Sequence, residues 1–292
     1  QASDGTIYPS ISADGRYVAF ISWASNLVAN DTNGFADTFF HDRLTGQTER
    51  VSVASDGSQA NAVSLQATAI SVTGRYVAFG AMATNLVAGD TNGLGDVFVR
   101  DREAALTRRV SVSSGGGQSN GAVSNAIGLS GDGQLVVFQS AATSLVAGDT
   151  NGVDDIFLHD LGTGETRRVV PGAGLQANGA SRNPSLAVGG RFVLFDSLAT
   201  NWTADDTNDQ VDVFVFDGVA QTVTLVSLAA DGSDSNGGGV FASMSNDGRF
   251  IAFESAATNL VVGDTNGFND IFLRDQGGIG PYRLTLPSVI RP

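Results

Sequence analysis

The chain has 292 residues, 42% of them hydrophobic and 16% charged, with 37 glycines, no cysteine and a formal net charge of -14. That is a globular composition, not a disordered one, and sixteen basic residues against thirty acidic ones exclude a basic nucleic-acid footprint. Every basic residue is an arginine, so lysine Schiff-base and P-loop chemistry are excluded, together with thiol nucleophiles, disulfides and thiolate metal sites. No run of ~18 apolar residues calls for membrane insertion.

One unit is written five times along the chain, each copy pairing a segment like Asp14-Gly15-Arg16-Tyr17-Val18-Ala19-Phe20 with an acidic segment that begins at Asp31, Asp90, Asp149, Asp206 or Asp264. The periods are 59, 59, 57 and 58 residues, which leaves no linker or second domain. Each unit divides into four short apolar runs bounded by turn residues, A to D, as in Pro9–Ser12, Arg16–Ser22, Thr38–Asp42 and Arg50–Val53. An Asp-Gly pair joins A to B in three units, as a tight hairpin requires. Runs B and C are apolar at successive positions, as in Val77-Ala78-Phe79 and Val97-Phe98-Val99, so both faces of each sheet must be covered.

Repeated four-stranded sheets covered on both faces predict an all-β fold, a five-bladed β-propeller of four-stranded antiparallel blades. The expected blades span residues 7–54, 65–113, 124–170, 181–228 and 240–287 of a single domain covering 1–292, with a tail at 288–292. Ten of the seventeen phenylalanines recur at two repeat positions, Phe20, Phe79, Phe138, Phe195 and Phe253 on B and Phe39, Phe98, Phe157, Phe214 and Phe272 on C, and are expected to pack between blades. The segment Pro9-Ser10-Ile11-Ser12-Ala13-Asp14-Gly15 resembles the signature of TolB-like propeller repeats, and the resemblance recurs to about residue 286. It implies a propeller acting as a protein- or peptide-binding module or as a gate attached to a peptidase. The long B-to-C loop departs from that pattern.

In such a meander the B-to-C loops share one face with the D-to-A loops. The B-to-C loops read Asp31, Asn33 and Asp37; Asp90, Asn92 and Asp96; Asp149, Asn151 and Asp155; Asp206, Asn208 and Asp212; and Asp264, Asn266 and Asp270. The pattern Asp-x-Asn-Gly-x-x-Asp is similar to the last part of integrin-type calcium loops, without their first acidic ligand. Carboxylates, an amide and backbone carbonyls around a glycine turn suit structural calcium. The competing reading is that the aspartates cap backbone amides as Asx-turns and need no metal. The fourth loop is expected to be the least suited, because Asp209 replaces the turn glycine.

The D-to-A loops repeat an amide element at Gln59 and Asn61, Gln118 and Asn120, Gln176 and Asn178, with Asp234 and Asn236 in the fourth. These side chains either bind sugar hydroxyls or satisfy loop backbone. Asn30 and Asn201 match the N-glycosylation pattern. His41 and His159 share a repeat position without an acidic orienting partner, and no nucleophile elbow exists, so no enzyme activity is expected. The chain starts at Gln1, as an exported protein does after cleavage of its leader, which makes it secreted or cell-surface; a trimmed chain is the alternative. A glycine-rich stretch, Gly277–Pro281, precedes the last strand and the unmatched tail Ser288–Pro292. Strand exchange there predicts a non-enzymatic structural or adhesive protein that self-associates through its C-terminal segment into oligomers or filaments. The alternative is a calcium-supported module binding a glycan or a peptide.

Overall fold

The computed structural model describes residues 1–170 and 175–277. Blade 1 is a meander of β1 (Thr6–Ile11), β2 (Tyr17–Ser22), β3 (Asp37–Asp42) and β4 (Thr48–Arg50). Blade 2 repeats it with β5 (Ser64–Ile70), β6 (Tyr76–Ala81), β7 (Asp96–Asp101) and β8 (Leu106–Arg109). Blade 3 has β9 (Val123–Leu129), β10 (Leu135–Ser140), β11 (Asp155–Asp160) and β12 (Thr166–Arg168), and blade 4 has β13 (Ser181–Leu186), β14 (Phe192–Ser197), β15 (Asp212–Asp217) and β16 (Thr222–Leu225). Blade 5 contributes β17 (Val240–Met244), β18 (Phe250–Ser255) and β19 (Asp270–Asp275); its expected fourth strand and the tail lie outside the described residues. No helix occurs among the described residues, so none is long and apolar enough to cross a membrane. The chain forms two compact units, one from Gln1–Gly152 with Ile156–Arg168 and the other from Val153–Asp155 with the residues from Val169 onward.

The repeated phenylalanines are direct cross-strand partners: Phe20 opposes Phe39, Phe79 opposes Phe98, Phe195 opposes Phe214 and Phe253 opposes Phe272. Ring centroids in all five blades lie 5.7 or 5.8 Å apart, within the offset range that aromatic pairs prefer. The pairs of blades 2, 3 and 5 also meet the preceding blade. Phe79 and Phe98 join Ala19, Phe40 and Val51 of blade 1, and Phe253 and Phe272 join Leu194, Val213 and Val226 of blade 4. In blade 4, Trp202 from the B-to-C loop adds an edge contact to Phe195 at 4.8 Å and donates its indole N–H to Ser197 Oγ.

The A-to-B hairpins also serve as packing surfaces. Gly74 has φ +69°, and a Cβ there would lie 2.7 Å from the Tyr17 ring of blade 1. The site permits no side chain and demands a left-handed backbone, which is why glycine occupies it. The hairpins are fastened by bidentate pairs from arginine to the end of strand C: Arg16 to Asp42, Arg75 to Asp101, Arg191 to Asp217 and Arg249 to Asp275. In blades 1, 4 and 5 the first strand bulges opposite the phenylalanine of strand B, and Tyr8, Asn183 and Phe241 each take φ 51° there. A left-handed backbone is costly for such residues.

Candidate metal centre

In blades 1, 2 and 4 the B-to-C loop brings its first aspartate back toward the aspartate that opens strand C, and the Asn between them makes a tight Asx-turn. Asn33 Oδ1 accepts the Phe35 N–H, and Asn92, Asn208 and Asn266 accept from Leu94, Gln210 and Phe268 in the same way. Those amide oxygens are committed to backbone. Asn33, Asn92 and Asn266 donate Nδ2 to Asp37, Asp96 and Asp270. The asparagines thus brace the loop through both ends of the amide.

In blades 1 and 2 a guanidinium sits between the carboxylates, and in blade 3 one pairs with the first of them. Arg50 Nη1, from the end of β4, lies 2.9 Å from Asp31 Oδ1, 3.1 Å from Asp37 Oδ2 and 2.9 Å from Gln59 Oε1. Arg109 Nη1 repeats the arrangement at 3.0 Å from Asp90 Oδ1, 3.4 Å from Asp96 Oδ2 and 3.0 Å from Gln118 Oε1. Arg168 Nη1 lies 2.9 Å from Asp149 Oδ1, and Asp155 is buried at the start of β11 with Asn151 in the loop before it. Burial raises the Asp31 and Asp90 carboxyls, while Arg50 and Arg109 pull them back down. In blades 1 and 2 a fixed guanidinium charge thus stands between the paired carboxylates.

Blade 4 exchanges the charges. Arg50, Arg109 and Arg168 oppose Phe39, Phe98 and Phe157 in the strand register, and the residue that opposes Phe214 is Leu225, buried at 2% exposure. The position of Gln59 and Gln118 is taken by Asp234, whose carboxylate accepts the Thr207 N–H and an Asn208 amide N–H. The result is a group of three carboxylates, Asp206, Asp212 and Asp234, whose oxygens lie within 4.8 Å of one another. Asp206 is 6% exposed and neither of its oxygens has a hydrogen-bond partner; Asp212 is fully buried, with Oδ1 accepting from Ser227 and Ser235 and Oδ2 unpartnered. Burial, then the charges of Asp212, Asp234 and Asp209, push the Asp206 carboxyl up to about 7.

This group could hold a metal ion. Its donors are all oxygens, the coordination of a hard cation, and its orphaned buried oxygens need a positive charge that no arginine supplies. The loop expected to be least suited is the one that offers the site, since Asp209 takes φ 55° and makes the turn that Gly34 makes at 74° in blade 1. In blade 5, Asp264 and Asp270 are half-buried and Asn266 is exposed. The signal for Asp234 was present in the aligned repeats as a paired replacement, Arg by Leu225 and Gln by Asp234.

The remaining sequence candidates are committed elsewhere. Asn61, Asn178 and Asn236 trade hydrogen bonds with the next B-to-C loop, at Thr84 and Asn85, Thr200 and Asn201, and Thr258 and Asn259. Asn201 also donates to the Gln176 carbonyl. His41 and His159 bond to Thr48 and Thr166 through Nδ1, and burial lowers the His159 pKa.

No protein-family model matches the sequence, and no curated protein matches it. Solved structures do match. TolB from Agrobacterium tumefaciens is 17% identical with a TM-score of 0.53 over 97% of this chain and 81% of its own. TolB from Acinetobacter baumannii is 14% identical, with a TM-score of 0.51 over 92% of this chain and 54% of its own, and a prolyl endopeptidase is 12% identical, with a TM-score of 0.54 over 92% and 33%. The chain thus spans about half of one of these proteins and a third of another. At such identities the likeness establishes the β-propeller fold alone.

Proposed function

We propose that the protein is a non-enzymatic β-propeller binding module in which one divalent cation, calcium, ties the long B-to-C loop of blade 4 to the start of its third strand and to the following D-to-A loop. A single observation carries this reading: the exchange of Arg and Gln for Leu225 and Asp234, which leaves both Asp206 oxygens buried without a partner. Calcium accepts irregular sets of six to eight oxygens, so three carboxylates plus water suit it better than the strict octahedron of magnesium. Neither histidine has a carboxylate partner among the described residues, which supports a binding role over hydrolysis. Calorimetry on chelator-treated protein tests the proposal. One equivalent of calcium is expected to bind, with magnesium much weaker, and to raise the melting temperature; Asp206→Asn abolishes both effects. Absence of calcium binding to the wild type overturns it.

The self-associating structural protein is a second reading with its own support. Its C-terminal segment lies outside the described residues, but blade 5 presents Ile271 at 63% exposure, where the equivalent Val97, Ile156 and Val213 are at most 1% exposed. That face suits another blade of the same repeat, from a second copy, and heterologous contacts of this kind build filaments unless they close. Light scattering of wild type and Ile271→Glu tests it: the variant is expected to have the smaller particle mass, and equal monomer masses overturn the reading.

A further inference from the structure

A second feature of blades 4 and 5 is unrelated to the acidic loops. Strand β14 carries Asp196 at the repeat position held by Ile21, Gly80 and Gln139 in the first three blades. The side chain is 6% exposed and lines a cavity of about 210 Å³, walled by Leu198, Val211, Val240 and Phe241. Among the described residues its one side-chain hydrogen-bond partner is Asn183, whose Nδ2 donates to Oδ2 at 3.1 Å. Arg182, the cross-strand partner of Asp196, also lines the cavity and its charge pulls the Asp196 carboxyl down, but its guanidinium is 54% exposed, lies with Nε 3.9 Å from Asp154 Oδ2 and makes no ion pair with Asp196 among the described residues.

A carboxylate at the floor of an apolar-walled cavity is expensive unless a cation joins it. We infer that this cavity is a binding site for a primary alkylammonium group, as at the end of a lysine side chain of a peptide or protein partner. The cavity is smaller than the ~300–1,000 Å³ of sites for drug-sized ligands, and suits one extended side chain. Asn183 already engages one carboxylate oxygen, so the two oxygens are not equally open to a ligand. A compact ammonium uses a single acceptor well, whereas the planar guanidinium fork prefers two. Methylene groups meet Leu198, Val211 and Val240, and Phe241, 70% exposed, brings an aromatic side chain to the same cavity, where a ring can attract a cation. Phe241 sits at the first-strand bulge, with the φ of 51° that Tyr8 and Asn183 take at the same place in blades 1 and 4. Burial raises the Asp196 pKa, the penalty that an arriving ammonium relieves. The chain contains no lysine, so such a ligand comes from another molecule.

The inference rests on the binding-module reading and names its partner chemistry: Val211, a wall of the cavity, directly precedes Asp212 of the cation centre. The test uses the full chain in calcium, with n-butylamine, n-butylguanidine and 1-pentanol as probes followed by ligand-observed NMR, and calcium binding measured on the same samples. Saturable binding of butylamine is expected, at least about tenfold weaker in Asp196→Asn, since a charge-assisted hydrogen bond is lost. Phe241→Gly relieves the left-handed strain and removes the ring, so it is expected to bind butylamine more weakly while melting no lower than wild type. Butylguanidine or pentanol binding as tightly as butylamine, or Asp196→Asn binding it equally, overturns the inference. Calcium binding that persists alongside such a result leaves the cation centre standing; loss of calcium binding with amine binding intact does the reverse.

Discussion

Leu225 occupies in blade 4 the place that Arg50 occupies in blade 1, each opposite the strand-C phenylalanine of its own sheet. One substitution removes a cation from a buried pair of aspartates, and Asp234 adds a third carboxylate in place of Gln59. The same scaffold thus carries a covalently attached cation in one blade and, in another, a carboxylate group that could hold a mobile one.

Reciprocal exchange tests this directly. Leu225→Arg with Asp234→Gln is expected to abolish calcium binding and make the melting temperature indifferent to chelator. Arg50→Leu with Gln59→Asp is expected to add a second equivalent of calcium in titration calorimetry. At a calcium concentration 100 times Kd, the occupied centre contributes about 2.7 kcal/mol, read as a chelator-sensitive shift in unfolding.

Removing the guanidinium alone is expected to be severe. Arg50→Ala leaves Asp31 and Asp37 facing each other in a buried site, and the loss of one partner of a buried pair costs roughly 3–5 kcal/mol. The urea midpoint checks it, and 10 mM calcium is expected to restore part of the loss.

The hairpin pairs set acid stability. The Arg191 hydrogen bonds hold the Asp217 carboxyl down at about 2, and Arg75 lowers Asp101 in the same way. A carboxyl depressed in the folded state stabilises above its unfolded value of ~3.9, and that contribution disappears as pH falls toward the folded value. Unfolding midpoints are therefore expected to drop between pH 4 and pH 2. Arg191→Gln should lower stability at pH 6 and converge with wild type near pH 2, by a modest amount because the arginine is half exposed.

Two glycines with nearly the same backbone separate strain from packing. Gly89 has φ +73° with nothing within 4 Å of a built Cβ, whereas Gly74 at φ +69° faces the Tyr17 ring. Gly89→Ala is expected to cost about 1 kcal/mol, the left-handed penalty. Gly74→Ala is expected to cost a further ~1–3 kcal/mol from the displaced ring, measured by denaturant titration.

Most of the fold was legible because the repeat writes strand limits and cross-strand partners into fixed offsets. Phe79 and Phe98 stand out by recurrence, and their pairing follows from the meander. The asparagine turns were legible as motifs, and their Asx-turn geometry, as at Asn33, is the competing reading given from the sequence. Asp206 and Asp212 were legible by spacing; Asp234 was not, because its meaning depends on Leu225 and both lie outside the motif. Asp196 carried no signal at all, since a lone acid in an apolar strand becomes a site only when a bulged neighbour and a loop enclose it.

The amino-acid order by itself determined the copied unit, its meander and its hairpins, because those depend on neighbours a few residues apart and on the alternation of apolar positions. Only the tertiary structure decided which aspartates are paired with an arginine and which gather without one. The deciding arginine in blade 1 is 19 residues from Asp31 in the chain and 2.9 Å from it in space, and charges respond to the second distance.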